Sequence, residues 1–173
     1  MDSGGVLELL IKAQYQAAMN NDNVSSAMVR QMAVVGEPFE KAVAAALLSL
    51  GGPVHGPTAD ARHVLFTADD AEIKERMLRK EKIPGFGNQF YRDKVDPAFA
   101  EFYTEIENNH PEIWTRLTHV AALIMEVKGK FFYPNAAAAT AITAELMNLA
   151  EGTEIQLLVM GRLPAWAQQW SKK

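Results

Sequence analysis

The sequence predicts an all-α protein, and three observations lead to this prediction. Apolar residues recur at helical spacing along most of the chain, proline or capping residues stand where the periodic segments start, and no segment shows the alternation typical of a strand. The clearest case starts at Pro111 and ends at Gly129. One face of this segment carries Ile113, Leu117, Val120, Ile124 and Val127. This period predicts a long amphipathic helix.

The same signals define a series of helical segments along the chain. Ser25 or Ser26 is predicted to cap the second helix, Pro38 to occupy the first turn of the third, and Gly51-Gly52 to end it. Asn135 is predicted to begin the helix before the last. The predicted helices are 6–20, 25–35, 38–50, 57–65, 68–82, 97–109, 111–128, 135–149 and 153–170.

Two of these helices carry more specific predictions. Thr67 is predicted to cap the helix at 68–82, which has acidic residues in its first turn and basic residues in its last turn, an order that suits the helix dipole. Pro164 lies inside the last helix. Because proline lacks an N–H group and its ring clashes with the preceding turn, Pro164 is predicted to kink or interrupt that helix.

The composition excludes several classes of chemistry. Cysteine is absent, which excludes disulfides, thiolate metal sites and a cysteine nucleophile, and fits a reducing cytosol. No apolar run reaches the roughly 18–20 residues that a membrane span needs, and the start of the chain lacks the features of a signal peptide. The net charge of −4 argues against general nucleic-acid binding, and the four histidines show no metal-ligand spacing. The sequence therefore predicts a cytoplasmic protein with no metal and no membrane or nucleic-acid partner.

The charge is unevenly distributed. Residues 74–94 hold seven basic and three acidic residues, a local balance of +4, so the rest of the chain carries −8. One interpretation is a solvated helix face with i,i+4 ion pairs. The other is a phosphate-binding patch, because the basic segment leads directly into a glycine-containing loop.

Two glycine-framed loops, 51–57 and 82–91, each join two helical segments. Glycine lets backbone approach a ligand closely, and the Gly-Phe-Gly sequence at 85–87 is suited to cradle a flat ring or a phosphate. His55 stands just before a predicted helix N-terminus, whose field favours a neutral imidazole. A neutral histidine can donate a hydrogen bond to a carbonyl that becomes an enolate. The alternative for each loop is a simple turn without a ligand.

Six short motifs follow one another in the order Asn23-Val24-Ser25-Ser26, 51–56, 82–91, Asp96-Pro97, Tyr133-Pro134-Asn135 and Gly161-Arg162-Leu163. Their order and spacing resemble the citrate synthase family, in which citryl-CoA lyases and the citrate-synthase module of ATP-citrate lyase share the pattern. The resemblance covers about residues 20–171. It implies a citrate-synthase-like helical fold with a coenzyme A thioester site built from the two glycine loops.

The resemblance also implies roles for particular residues. His55 and Asn88 fall at catalytic positions, and Arg162 falls on an arginine that binds a substrate carboxylate. The residues implied in binding coenzyme A are Arg79, Lys82, Pro84, Gly85, Phe86 and Gly87.

Several positions depart from the family pattern. Asn88 stands where the family has a second histidine, and Ala137 stands where it has the aspartate that removes the acyl α-proton. Ala98 replaces the arginine of Asp-Pro-Arg, and Asn20 falls near the position of a further histidine. Asparagine cannot transfer a proton near neutral pH, and alanine cannot act as a base. The expected function is therefore binding of coenzyme A or an acyl-CoA, with Claisen-type synthase or lyase activity impaired or lost.

The family comparison further implies an architecture and a partner. Residues 57–133 are expected to form a small, coenzyme-A-side subdomain, while 1–56 and 134–173 form the remnant of a large domain. The helices at 25–51 are expected to form a homodimer interface. Two alternatives stay open: an active lyase or synthase with a rearranged site that takes its base from Asp60 or a partner chain, and a structural or regulatory partner of a full-length relative.

Overall fold

The computed structural model describes residues 3–20, 23–50 and 58–172, and within these ranges the chain folds into nine α-helices and one 3₁₀ turn at Pro97–Phe99. The helices are α1 Ser3–Asn20, α2 Val24–Val34, α3 Phe39–Leu50, α4 Thr58–Phe66, α5 Asp70–Leu78, α6 Ala100–Asn109, α7 Pro111–Lys128, α8 Ala136–Leu146 and α9 Glu154–Ser171. The all-α prediction is confirmed. The part of the chain so described contains a single isolated β-bridge, between Phe86 and Pro134.

Two helix caps differ from those that the sequence predicted. α2 is capped by Asn23, not by Ser25 or Ser26, because the Asn23 side chain accepts a hydrogen bond from the Ser26 N–H at 3.0 Å. α5 is capped by Asp69, not by Thr67, through a 2.8 Å bond from the Glu72 N–H. In both cases a short carbonyl or carboxylate side chain supplies the acceptor that an N-terminal turn requires.

α5 and α8 also end earlier than predicted. α5 ends at Leu78, and Lys80 adopts a positive φ of 62°. α8 ends at Leu146, and Asn148 adopts a φ of 51°. Left-handed residues terminate helices, and neither turn needs a glycine to do so. As a result, the basic residues Arg79, Lys80 and Lys82 follow the end of α5 and do not extend the helix.

α9 continues through Pro164 without interruption. Pro164 is exposed, while the opposite face of the helix is buried on both sides of it, by Leu157 and Leu158 before the proline and by Ala165 and Trp166 after it. Burial of this face stabilises the helix more than the loss of one backbone hydrogen bond destabilises it.

The core consists of two clusters. The larger one joins α1 and α4–α8 around residues such as Leu10, Phe102 and Ile124. The smaller one packs α2 and α3 against α9, where Trp166 is fully buried and donates its Nε1–H to the Ser26 hydroxyl at 3.3 Å. α9 therefore connects the α2–α3 hairpin to the rest of the molecule.

Gly161 sets the distance between α1 and α9. A Cβ at this position would overlap the Cβ of Gln14 and would lie 3.1 Å from the Ile11 carbonyl oxygen. Only glycine therefore permits the two helices to approach this closely.

We expect Gly161→Ala to lower the free energy of unfolding by about 1–3 kcal/mol, because the added methyl group forces the two packed helices apart. Urea denaturation measures this effect. Gly5→Ala is the matched control on α1: no atom lies within 4 Å of its added Cβ, so stability should be unchanged or slightly increased. Equal stabilities of the Gly161→Ala variant and the unsubstituted chain would contradict this account of the packing.

Candidate functional site

Backbone hydrogen bonds join the second glycine loop to the segment before α8. The Gly87 N–H donates to the Tyr133 carbonyl at 2.8 Å, and the Asn135 N–H donates to the Gly85 carbonyl at 2.9 Å. The Asn135 side chain also donates its Nδ2–H to the Gly87 carbonyl at 2.7 Å. From α6, the buried Tyr103 hydroxyl donates to the Asn135 carbonyl at 2.7 Å. These four bonds hold the loop against the segment that precedes α8.

Both glycines of this loop are required by its geometry. Gly85 and Gly87 have φ values of 89° and 87°, a region that side chains rarely adopt. A Cβ on Gly85 would meet the Cβ of Ala138 at 3.3 Å, and one on Gly87 would meet the Cδ1 of Phe132 at 3.0 Å. The loop backbone therefore lies directly against α8 and an aromatic ring.

The loop borders a cavity of about 620 Å³. Of the residues that the sequence analysis selected, those in its lining are Lys82, Pro84, Gly85, Phe86, Gly87, Asn88 and Arg162. Segments distant in sequence thus converge on one cavity, since Arg162 lies on α9 and the loop lies between α5 and α6. A volume of this size lies within the range of small-molecule sites.

Two predicted site residues lie elsewhere. His55 lies outside the described residues. Arg79 does not line the cavity but is half-exposed beside it, where its Nη1 and Nε pair with Glu75 and Glu81, each at 2.7 Å. Here the i,i+4 ion-pair interpretation of the basic segment holds.

Arg76 is the basic residue of α5 that does line the cavity. Its Nη2 lies 2.9 Å from a Glu72 oxygen, and the His63 Nε2 lies 2.9 Å from the same carboxylate. Hydrogen bonds from His63 and Arg76 lower the pKa of Glu72. Glu72 therefore stays ionised and holds Arg76 at the cavity wall.

Arg162 carries the buried charge of the cavity. The side chain is 5% exposed; its Nε donates to the Gln14 Oε1 at 3.1 Å and its Nη1 donates to the Ser25 hydroxyl at 3.2 Å. Burial lowers the pKa of Arg162 to about 10, while the nearby Asp96 carboxylate acts in the opposite direction. The guanidinium is therefore charged at neutral pH, and a ligand carboxylate is the group that it suits.

Asn88 is held by the loop and by Asp96. Its Oδ1 accepts from the Phe90 N–H at 2.8 Å, and its Nδ2 lies 3.4 Å from the Asp96 Oδ2. Asp96 is buried and caps the 3₁₀ turn by accepting from the Ala98 N–H at 3.0 Å. The amide therefore has a fixed orientation and can donate a hydrogen bond, but it cannot act as a general acid at neutral pH.

The position of the expected base is apolar. Ala137 lines the cavity in the first turn of α8, where its N–H donates to the Asn135 Oδ1 at 2.9 Å. Ala17 on α1 adds a second methyl group to the lining. Asp60 on α4 is a further carboxylate of the wall. The described cavity thus contains the buried cation of Arg162, and it has alanine at position 137, where proton abstraction would need a base.

No sequence pattern marked Gln14, Arg76 or Asp96 as site residues. Gln14 had a signal, because it lies four residues after Leu10 and four before Ala18, within the apolar stripe of α1. A polar residue in such a stripe is buried and requires a partner. The partner, Arg162, is 148 residues distant in sequence, which no local pattern reveals.

Two classes of site receive no support within the described ranges. Residues 3–20, 23–50 and 58–172 contain no group of three or more His, Asp or Glu residues that could hold a metal ion. In the same part of the chain, every helix is too short or too polar to cross a membrane.

We expect Asn135→Asp to loosen the glycine loop. The aspartate retains the oxygen that caps α8, but it replaces the donor to the Gly87 carbonyl by a second oxygen, so the free energy of unfolding should fall by about 1–3 kcal/mol. Thermal denaturation checks this. Asn135→Ser, which keeps a capping oxygen without the repulsion, should be intermediate; an Asn135→Asp variant as stable as the unsubstituted chain would show that the bond is dispensable.

Solved structures share the fold at low sequence identity. Citryl-CoA lyase from Hydrogenobacter thermophilus matches with a TM-score of 0.78 and 22% identity, over 98% of this chain and 68% of the lyase. ATP citrate lyase from Methanosaeta concilii, a D541A mutant in complex with (3S)-citryl-CoA, matches with a TM-score of 0.75 and 17% identity. ATP citrate lyase from Methanothrix soehngenii, in complex with citrate and coenzyme A, matches with a TM-score of 0.75 and 16% identity. For each ATP citrate lyase the match covers 97% of this chain and 30% of the other.

A search of curated proteins finds no match to the sequence. The family model described as the C-terminal domain of citrate synthase matches residues 15–173, which is most of the chain. The resemblance inferred from the six motifs is therefore confirmed at the level of fold and family: the chain belongs to the citrate synthase family.

Proposed function

We propose that the chain binds coenzyme A or an acyl-CoA in the cavity between the glycine loop and α9, and that its Claisen-type synthase or lyase turnover is impaired or lost. One observation carries the proposal: the cavity retains a preformed loop and a buried arginine, but has Ala137 and Asn88 where the family's chemistry needs a base and an acid.

The binding half of the proposal is supported by the chemistry of the lining. Arg76, Lys82 and Lys128 line the cavity and can pair with phosphate oxygens. The Phe132 ring, against which Gly87 packs, offers an apolar face. Two of the structural neighbours hold citryl-CoA, or citrate with coenzyme A. On this basis we assign Lys82, Pro84, Gly85, Phe86 and Gly87 to the thioester and Arg162 to a carboxylate.

The catalytic half follows from proton transfer. A positioned general acid or base contributes about 10²–10⁴-fold to a rate, so the absence of both removes roughly 3–10 kcal/mol of transition-state stabilisation. Asn88 can still donate a hydrogen bond to a carbonyl, which would favour binding of the thioester without its enolisation.

The alternative, an active enzyme with a rearranged site, is favoured by one observation. Asp60 lines the cavity, and its carboxylate is the right type of group for a base. In this version His55, which precedes α4, would polarise the carbonyl and Asp60 would accept the proton.

We further propose a homodimer formed by α2 and α3. Met28, Val34, Val35, Leu47 and Leu48 are exposed on this hairpin, and Val34 and Leu48 are 86% and 85% exposed. Exposed apolar patches of this kind are typical of protein interfaces.

In the same proposal, residues 57–133 form the coenzyme-A-side subdomain, and residues 1–56 and 134–173 form the part that dimerises. The same surface would serve a full-length relative as partner.

Calorimetry with coenzyme A and acetyl-CoA tests the binding. Lys82→Glu should weaken binding by roughly 3–30-fold, because reversal of one charge costs more than loss of an exposed ion pair. Lys172→Glu, which adds the same charge at the exposed end of α9, should leave the affinity unchanged. Absence of binding at millimolar ligand would end the proposal.

A gain-of-function pair tests the loss of turnover. We expect the unsubstituted chain neither to release thiol from acetyl-CoA with oxaloacetate nor to cleave citryl-CoA to acetyl-CoA and oxaloacetate. The Asn88→His/Ala137→Asp double variant supplies both proton-transfer groups and should raise either rate at least a hundredfold. Efficient turnover by the unsubstituted chain would support the rearranged site instead, and His55→Ala or Asp60→Asn should then abolish it.

Analytical ultracentrifugation tests the proposed interface. Leu48→Lys should convert the dimer to a monomer, because it places a charge in an apolar contact. Leu78→Lys on α5 is the matched control, since Leu78 is also largely exposed but lies outside the hairpin. A chain that sediments as a monomer without substitution would exclude the homodimer.

A further inference from the structure

Gln14 is a fully buried polar side chain in the apolar stripe of α1. Its two polar atoms both have partners: the Oε1 accepts from the Arg162 Nε at 3.1 Å, and the Nε2 donates to the Thr140 Oγ1 at 3.2 Å. A buried amide whose oxygen and nitrogen both have partners costs little free energy. Only one of its two orientations satisfies both partners.

The orientation of this amide is fixed by α8. The Thr140 hydroxyl donates its proton to the Ala136 carbonyl at 2.7 Å, so towards Gln14 it can only accept. The Gln14 nitrogen must therefore face Thr140, and its oxygen must face Arg162. α8 thus sets which atom of Gln14 meets the guanidinium.

A second acceptor holds Arg162 from α2. The Ser25 hydroxyl donates its own proton to the Asn23 Oδ1 at 2.9 Å, which leaves a lone pair for the Arg162 Nη1 at 3.2 Å. Both hydrogen-bond partners are neutral, and the nearby counter-charge is the Asp96 carboxylate, which is buried and also lines the cavity. Two of its five N–H groups are engaged in this way, and the side chain lines the cavity.

We infer that Gln14 is a positioning residue, which orients Arg162 so that its remaining N–H groups receive a carboxylate of a small acid in the cavity. The inference rests on the proposed function for the location of the ligand. It adds a requirement that the proposed function does not contain: the amide at position 14 must be neutral and must present its oxygen to Arg162.

Gly161 gives this inference a second support in the packing. The absence of a side chain at Gly161 lets α1 approach α9, and the atoms that a Cβ would meet belong to Gln14 and Ile11. The residue next to Gly161 is Arg162. The close approach therefore occurs where it brings Gln14 within hydrogen-bond distance of the guanidinium.

Two substitutions separate positioning from packing. Gln14→Met keeps the approximate volume but removes both hydrogen bonds, and should weaken binding of citrate or oxaloacetate by about tenfold, the equivalent of one hydrogen bond to a charged group. Gln14→Glu places a carboxylate against Arg162 and should weaken these probes by at least a hundredfold, because the guanidinium charge is then neutralised within the protein. Calorimetry measures each affinity, and Gln31→Glu at an exposed position of α2 is the charge-matched control.

Two further measurements distinguish the outcomes: the affinity for coenzyme A and the thermal stability of each variant. We expect the affinity for coenzyme A to be unchanged in both variants, and Gln14→Glu to remain folded because the new ion pair keeps the contact to Arg162. Thr140→Val, which removes the hydroxyl that orients the amide, should reproduce part of the loss, whereas Thr140→Ser should not.

The inference is overturned if Gln14→Glu and Gln14→Met bind citrate and oxaloacetate as the unsubstituted chain does, or if their affinities follow thermal stability alone. It is also overturned if the unsubstituted chain binds coenzyme A but neither acid. Binding of an acid without binding of coenzyme A would instead overturn the proposed function and leave the role of Gln14 intact.

Discussion

The buried charge of Arg162 is the constraint on which the arrangement of the helices depends. Removal of a guanidinium from water costs several kcal/mol unless hydrogen bonds and a counter-charge offset it. Here the offset comes from Gln14 on α1 and Ser25 on α2, with the Asp96 carboxylate acting on the same charge. Thr140 on α8 in turn fixes Gln14. The first two helices, α1 and α2, therefore have to meet the last two, α8 and α9, at one point.

The glycine loop depends on a different kind of interaction. It is ordered by backbone bonds to 133–135 and by the Asn135 side chain, which donates to Gly87 while accepting from Ala137. One asparagine thus both starts α8 and closes the loop. Because α8 also supplies Thr140, the same helix positions the loop and, through Gln14, the buried arginine. α8 therefore links the two parts of the cavity wall, the glycine loop and Arg162.

Local patterns predicted the helices well and their contacts poorly. The apolar period at 111–128 and the prolines at 97 and 111 are local signals, and helices stand where they predicted. Capping was harder, because Asn23 and Asp69 compete with nearby serine and threonine for the same role and only the backbone geometry decides between them. The order of the motifs predicted several residues of the cavity. The Gln14–Arg162 contact depends on tertiary packing, which no short stretch of sequence reveals.

The energetics of Arg162 bear on the proposal that the cavity binds an anionic ligand. An apolar side chain in place of Arg162 would avoid the desolvation of a charge, and such replacements are commonly neutral or stabilising when all the partners are replaced together. The chain nevertheless holds the charged form, with its pKa lowered to about 10 and still far above neutral pH. At the same time alanine occupies the position where a base would act. Gln14, Ser25 and Asp96 offset part of the desolvation of this cation, and a carboxylate bound against its remaining N–H groups would offset more. A fixed cation with no base at position 137 therefore supports the proposal of an anionic ligand.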